Sequence, residues 1–242
     1  TPLASQDRRV LVQARQVYVF SHAALLGWKG PALDRARAAF ARMTQVYWRK
    51  EGGFRFSAAP DGTARDDRLR TYDQAFVLLA CAWYFRASAD KTALDWAERT
   101  LEALDRLLAH PQGGYRDGLP DHAPRRQNPH MHLLEAMLAL HEAFGLPVYL
   151  ERAGALMALF TDRFFDAKTG LLHEEFDGDW RRLAPDTARL EPGHHCEWIW
   201  LLGEYARATG EDQSLAQRSL ATTVARFGID ETDGLLWDGI TP

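Results

Sequence analysis

Apolar positions recur three and four residues apart along almost the whole chain, the spacing that lays one stripe down an α-helix. This spacing predicts helices over about 7–26, 32–49, 69–87, 91–108, 129–145, 147–164, 194–209 and 212–228. Pro31, Pro129, Pro147 and the pair Pro192-Gly193 fall near predicted starts, where the first turn tolerates a missing N–H. Almost nothing between the helices reads as a buried strand. The longest connection, 166–192, holds His173-Glu174-Glu175-Phe176-Asp177-Gly178-Asp179-Trp180, an alternating run broken by Asp-Gly, which predicts a small hairpin and a rim loop that could act as a lid or partner contact.

The helices come in pairs. After every second one a glycine precedes an apolar or aromatic residue, at Gly53-Phe54, Gly114-Tyr115, Gly170-Leu171 and Gly234-Leu235, with glycine-to-glycine intervals of 61, 56 and 64. That period exceeds the roughly 34–47 residues of common helical solenoids, and the excess lies in the loops. Closing such pairs into a ring, one helix inside and one outside, buries both layers and gathers the long loops at one rim. An all-α toroid is therefore expected, with 1–242 as one domain. The second helices alternate a charged face with an Ala/Leu face, as an outer layer should. The first helices open instead on polar and aromatic residues, and Arg15, Asp73, His132 and His194 mark these openings at intervals of 58, 59 and 62.

Composition narrows the chemistry. With 29 basic and 33 acidic residues the net charge is −4, and no basic stripe suggests a nucleic-acid partner. No apolar run reaches the roughly 18 residues of a membrane span. Cys81 and Cys196 both lie in helical stretches, so a disulfide framework is not expected and a reducing, cytoplasmic setting is.

His-x-x-Glu occurs twice, as His132/Glu135 and His194/Glu197, and residues three apart share a helix face. A carboxylate beside an imidazole fixes its tautomer and raises its pKa, which prepares the other nitrogen for acid–base work. A lone helical histidine is more often structural, and His22, His110, His122, His141 and His173 are read that way. Arg15, with Tyr18 one turn on, could clamp a sugar hydroxyl or an anionic group, or be an ordinary ion-paired arginine. Trp198 shares the His194 face and could stack on a pyranose or pack in the core. The two His/Glu pairs could also hold a metal, but their order reverses the Glu-x-x-His of bundle di-metal sites and further carboxylates are not evident, so no metal and no cofactor are expected. Phosphate-loop, zinc-cysteine and Gly-x-Ser-x-Gly patterns are missing.

Three blocks carry a resemblance: Arg15-Gln16-Val17-Tyr18-Val19-Phe20, Asn128-Pro129-His130-Met131-His132-Leu133-Leu134-Glu135-Ala136 and Glu191-Pro192-Gly193-His194-His195-Cys196-Glu197-Trp198. Together they resemble the N-acylglucosamine 2-epimerase family, which also takes in mannose isomerases and cellobiose 2-epimerases. The resemblance implies an (α/α)6 barrel that acts on a small sugar. Arg15, Tyr18, Asn128 and Trp198 would contact substrate, His132 would help bind or open the ring, and His194, supported by Glu197, would exchange the proton next to the carbonyl. Return of that proton to C2 gives an epimer, and return to C1 an aldose–ketose isomer. Six hairpins need more chain than the four counted, so the ring is expected to be incomplete at both ends, with the family's second proton-transfer histidine falling beyond Pro242. An (α/α)6 glycoside hydrolase would need an acidic pair across the scissile bond, and a non-catalytic carbohydrate-binding homologue would need neither. A homodimer is an open expectation.

Overall fold

The computed structural model describes residues 6–183 and 189–241. Eight α-helices are found among them: α1 (Val10–Leu25), α2 (Ala32–Tyr47), α3 (Thr71–Ser88), α4 (Thr92–Leu108), α5 (Asn128–Phe144), α6 (Pro147–Leu159), α7 (Pro192–Thr209) and α8 (Ser214–Thr223). Each predicted helix is present. The predicted ends of the sixth and eighth are wound more widely, as π-helical turns over Phe160–Phe164 and Val224–Gly228.

The periodicity explains the layering. In α2 the buried residues Ala32, Ala36, Phe40, Met43 and Tyr47 fall on one stripe, while Asp34 and Arg37 pair on the wet side. In α3 the stripe widens until Ala75 through Ala82 are all buried, because this helix has neighbours on every side. The odd-numbered helices pack on one another in chain order, α1 on α3, α3 on α5 and α5 on α7, and each even-numbered helix lies outside its hairpin partner. This is the α/α toroid arrangement. Gly145 (φ 70°) and Gly210 (φ 81°) stop α5 and α7 in the left-handed conformation that favours glycine. One apolar core runs through all four hairpins, and each large side chain closed inside it contributes about 1.5–3 kcal/mol.

The rim adds strands that the expectation of almost no buried strand did not cover. β1 (Arg8–Arg9), β2 (Arg55–Ala58), β3 (Ala64–Arg70) and β4 (Gly118–Leu119) form an antiparallel sheet in that order. Its longest strand reads Ala-Arg-Asp-Asp-Arg-Leu-Arg and buries only Leu69, so no apolar alternation betrays it. Pairing and the Arg55–Asp67 ion pair (3.2 Å) hold it instead.

The 166–192 connection is corrected too, although residues 184–188 of it lie outside the described residues. The Asp-Gly turn does bring Phe176 opposite Arg182. Yet the flanking strands pair elsewhere: β5 (Arg125–Arg126) with β8 (Glu175–Phe176), and β6 (Phe165–Asp166) with β7 (Leu171–Leu172). Trp180 is 1% exposed and donates its indole N–H to the Gly113 carbonyl, so this part of the loop is built into the core rather than poised above it.

A fastener repeats at the start of three inner helices. The Gln74 amide donates to the Phe54 carbonyl (2.9 Å) and accepts from the Phe54 N–H (2.8 Å). His130 does the same with a ring: Nδ1 donates to the Arg126 carbonyl (3.0 Å), and Nε2 accepts from the Tyr115 N–H (3.0 Å). His195 repeats it with the Glu191 carbonyl (3.0 Å) and the Leu172 N–H (3.2 Å). Each side chain therefore ties its helix to one of the repeating glycine loops. Glycine is required there: at Gly114 (φ +68°) a Cβ would sit 2.8 Å from His130 Nε2 and 2.6 Å from Leu159.

Candidate active site

The fasteners set the register of the inner helices. Two residues beyond each, Phe76, His132 and Glu197 fall at one level, and Arg15 joins them from α1. The four meet in turn around the lumen: the Arg15 guanidinium lies 4.6 Å from the Phe76 ring, that ring 4.6 Å from His132, and His132 Nε2 3.9 Å from Glu197. The sequence markers were therefore not equivalent. Asp73 and His194 precede their fasteners, whereas His132 follows its own and lies nearly a turn deeper.

His132 is mostly buried, with its Nδ1 donating to Glu135 (3.0 Å) and its ring against Phe76 and the edge of Tyr72. The His-x-x-Glu pairing expected on α5 is present. On α7 it is not: no hydrogen bond joins His194 to Glu197, and Glu197 turns toward His132. The partner of His194 is Glu174, from the rim loop, whose Oε2 accepts from Nδ1 at 2.9 Å. Sequence reasoning misses Glu174 because its segment reads as a hairpin and rim loop, a lid or partner contact, with no tie to α7.

A chain of donors fixes that pairing. The indole of Trp198 can only donate, so the amide oxygen of Gln127 faces it (2.7 Å) and the amide nitrogen faces Glu174 Oε2 (2.8 Å). With Nδ1 donating to Glu174, the neutral ring accepts at Nε2 from the Asn128 amide (3.0 Å). Glu191 stands 3.4 Å from the same Nε2. Burial lowers the His194 pKa, but the hydrogen bond and charge of Glu174, with Glu191 and Glu197 adding, outweigh it, and the net shift is upward. The imidazole opens on a cavity of about 220 Å³ lined by Arg126, Asn128, His173, Glu174, Arg189 and Glu191. A base held in this way takes a proton at Nε2, and the cation it becomes is flanked by two carboxylates.

Trp198 itself is corrected as a sugar platform. It is fully buried and stacked on Phe160 at 4.4 Å. Tyr18 is also parted from Arg15. It lies one turn below, where Tyr18, Leu79, Glu135 and Trp200 line a chamber of about 670 Å³, with its hydroxyl 3.3 Å from His22 Nδ1. Arg15 instead meets Tyr72, donating to its hydroxyl at 3.4 Å. Tyr72 was visible at the start of α3 but had no histidine beside it to draw attention. Asp73 is 1% exposed with both carboxylate oxygens unbonded, and burial lifts its pKa to about 6 against the pull of Arg70, Arg9 and Arg68. Among the described residues no cluster of three or more His, Cys, Asp or Glu has the geometry to hold a metal ion, and no helix is long and apolar enough to cross a membrane.

Helical hairpins layered with inner helix against inner helix define an α/α toroid, with His132 and His194 near the openings of neighbouring inner helices. The profile of the N-acylglucosamine 2-epimerase (GlcNAc 2-epimerase) family matches residues 1–239, and the chain belongs to that family. It is 35% identical over 233 residues to the mannose-6-phosphate isomerase of Rhizobium meliloti strain 1021, covering 94% of this chain and 59% of that protein. To the D-mannose isomerase of Thermobifida fusca it is 28% identical over 258 residues, 98% of this chain and 63% of that one. The chain thus spans about three-fifths of the length of these curated relatives. Among solved structures, the cellobiose 2-epimerase of Bacillus thermoamylovorans B4167 superposes with a TM-score of 0.90 at 22% identity, covering 99% of this chain and 66% of that one. The α-mannanase BT2949 of Bacteroides thetaiotaomicron, a GH76 enzyme, superposes at 0.71 with 15% identity over 96% of this chain and 61% of that one, a likeness of fold alone.

Proposed function

We propose that the protein is a sugar epimerase or aldose–ketose isomerase acting on a hexose or N-acylhexosamine by proton transfer at C2. The observation that carries this is His194, a neutral imidazole whose Nδ1 is tied to buried Glu174 and whose Nε2 faces a polar cavity. His194 Nε2 removes the C2 proton of the open-chain sugar, and the electron pair left behind forms an ene-diolate with the C1 oxygen. Delivery of the proton to the other face of C2 yields the epimer, and delivery to C1, with the O2 proton passing to O1, yields the ketose. Asn128 orients the base. His132, held by Glu135, with Arg15, Tyr72 and Glu197 beside it, grips the sugar hydroxyls and serves ring opening. Tyr18, a turn below, contacts only a substrate long enough to enter the lower chamber. Neither product needs a bound cofactor for its electron balance.

The same reading takes the chain as one toroidal domain, working in the cytoplasm without a nucleic-acid partner, consistent with a net charge of −4 and two free thiols. Whether it works as a homodimer is a matter for light scattering.

The test is C2–H exchange into deuterated water with mannose and N-acetylmannosamine, using the full-length natural protein. Exchange that His194→Gln abolishes supports the reading. A glycoside hydrolase is the second reading on fold alone, and cleavage of a mannoside without C2 exchange would replace the first reading by it.

A further inference from the structure

The histidines of the rim divide by what their ring nitrogens do. Structural ones such as His130 and His195 bond through both. His173 bonds through neither among the described residues, and its Nε2 is buried. Looseness does not explain this. The His173 N–H donates to the Phe164 carbonyl (2.8 Å), and the residues on either side are pinned, Leu172 by His195 and Glu174 by His194 and Gln127. The ring is therefore held in place with its polar atoms unspent, a cost that folded chains ordinarily avoid. Burial, with the Arg182 charge adding, holds its pKa below the ordinary imidazole value, so at neutral pH the ring offers one donor and one acceptor.

Its position supplies a use. His173 forms part of the wall of the cavity of about 220 Å³ on which His194 opens. Other polar groups of that wall are committed: Glu174 to His194, Arg126 to Glu175 (3.2 Å) and Arg189 to the Asp238 carbonyl (3.1 Å). A second buried atom of the wall is also unbonded, Oδ1 of Asn128, whose amide nitrogen is spent on His194. Two unpaired groups on one small cavity, an acceptor and a ring that can donate or accept, match a ligand that carries hydroxyls.

We propose that His173 is a substrate-contact residue that hydrogen-bonds a hydroxyl of the sugar while His194 works at C2. This rests on the proton-transfer reading above. Because neither nitrogen has a partner, the ring can turn either one to the hydroxyl without breaking a bond. An apolar side chain in its place removes a hydrogen bond from the substrate and none from the fold.

The experiment measures C2–H exchange of mannose and N-acetylmannosamine, together with Tm, for the full-length natural protein, His173→Leu and His173→Gln. The expected result is a kcat/KM about tenfold lower in His173→Leu at a Tm that is unchanged or raised, with part of the rate recovered in His173→Gln, whose amide restores a donor and an acceptor. A histidine that only supports the fold gives the reverse, a lower Tm at a steady rate. A loss in His173→Leu under about threefold, or any loss accompanied by a lower Tm, overturns the contact. If the natural protein exchanges neither sugar, the proton-transfer reading fails on its own and the contact is judged by mannose binding in titration calorimetry. Binding at least about threefold weaker in His173→Leu at an unchanged Tm upholds it. A smaller difference, or no binding to the natural protein, overturns it.

Discussion

Oε2 of Glu174 lies 2.9 Å from Nδ1 of His194, joining residues twenty apart in sequence that belong to different elements. This contact decides which nitrogen of His194 faces the cavity. Because Glu174 contributes most to the upward shift of the imidazole pKa, Glu174→Gln should lower that pKa. An imidazole NMR titration reads this directly, and an unchanged midpoint would contradict it. A raised pKa means that the pairing stabilises the fold most below pH 6.5, and that this contribution is lost as pH rises through the folded value. The same substitution should reduce kcat on the order of tenfold or more.

His130 works in the opposite sense. Complete burial, only partly opposed by the hydrogen bond to the Arg126 carbonyl, holds its pKa down to about 4, so the folded protein keeps the ring neutral while the unfolded chain protonates it near 6.5. Stability is therefore full above pH 6.5 and is lost as pH falls toward 4, by about 3 kcal/mol for this one group. His130→Gln should flatten that dependence, because Gln74 shows that an amide can bond both the carbonyl four residues back (Arg70, 3.3 Å) and a glycine-loop N–H (Phe54, 2.8 Å). Thermal unfolding from pH 4 to 7 compares the two proteins. Equal slopes would place the acid sensitivity elsewhere.

Trp198→Phe separates packing from sugar contact. Removing the indole N–H strands the buried oxygen of Gln127 at a cost of about 1–3 kcal/mol, which should lower the Tm while KM stays near its original value. A raised KM with an unchanged Tm would restore the indole to the substrate.

Gly114→Ala should destabilise by about 1–3 kcal/mol, since the new methyl meets His130 and Leu159 at a positive φ. Gly178→Ala, with nothing within 4 Å, serves as the control and should change little. Urea unfolding distinguishes them.

Helix spacing and the glycine repeat made the four hairpins legible, because both follow from local rules of burial and turn geometry. Charged strand β3 was silent, since pairing along the backbone leaves no mark in the side-chain pattern when neither face is buried. His132 with Glu135 was readable because both lie on one helix. Glu174 was not, for its partner comes from another element and only the folded chain brings them together. The doublet His194-His195 shows the limit most clearly. Identical neighbours in sequence, one ring faces the cavity and the other is sealed beneath it as a loop fastener. A helix turns about 100° per residue, so adjacency in sequence is divergence in space.

Because the fasteners pin α3, α5 and α7 at their starts, each later side chain acquires two coordinates, a helix and a depth. Arg15, Phe76, His132 and Glu197 share one depth; Tyr18, Leu79, Glu135 and Trp200 share the next; His22, Trp83, Ala139 and Glu204 a third, and all eight of the lower two border the deep chamber. Substrate reach can then be altered floor by floor. Widening the chamber at Trp200 or Trp83 would admit a longer sugar while leaving the floor that holds His132, and the entrance that holds His194, in place.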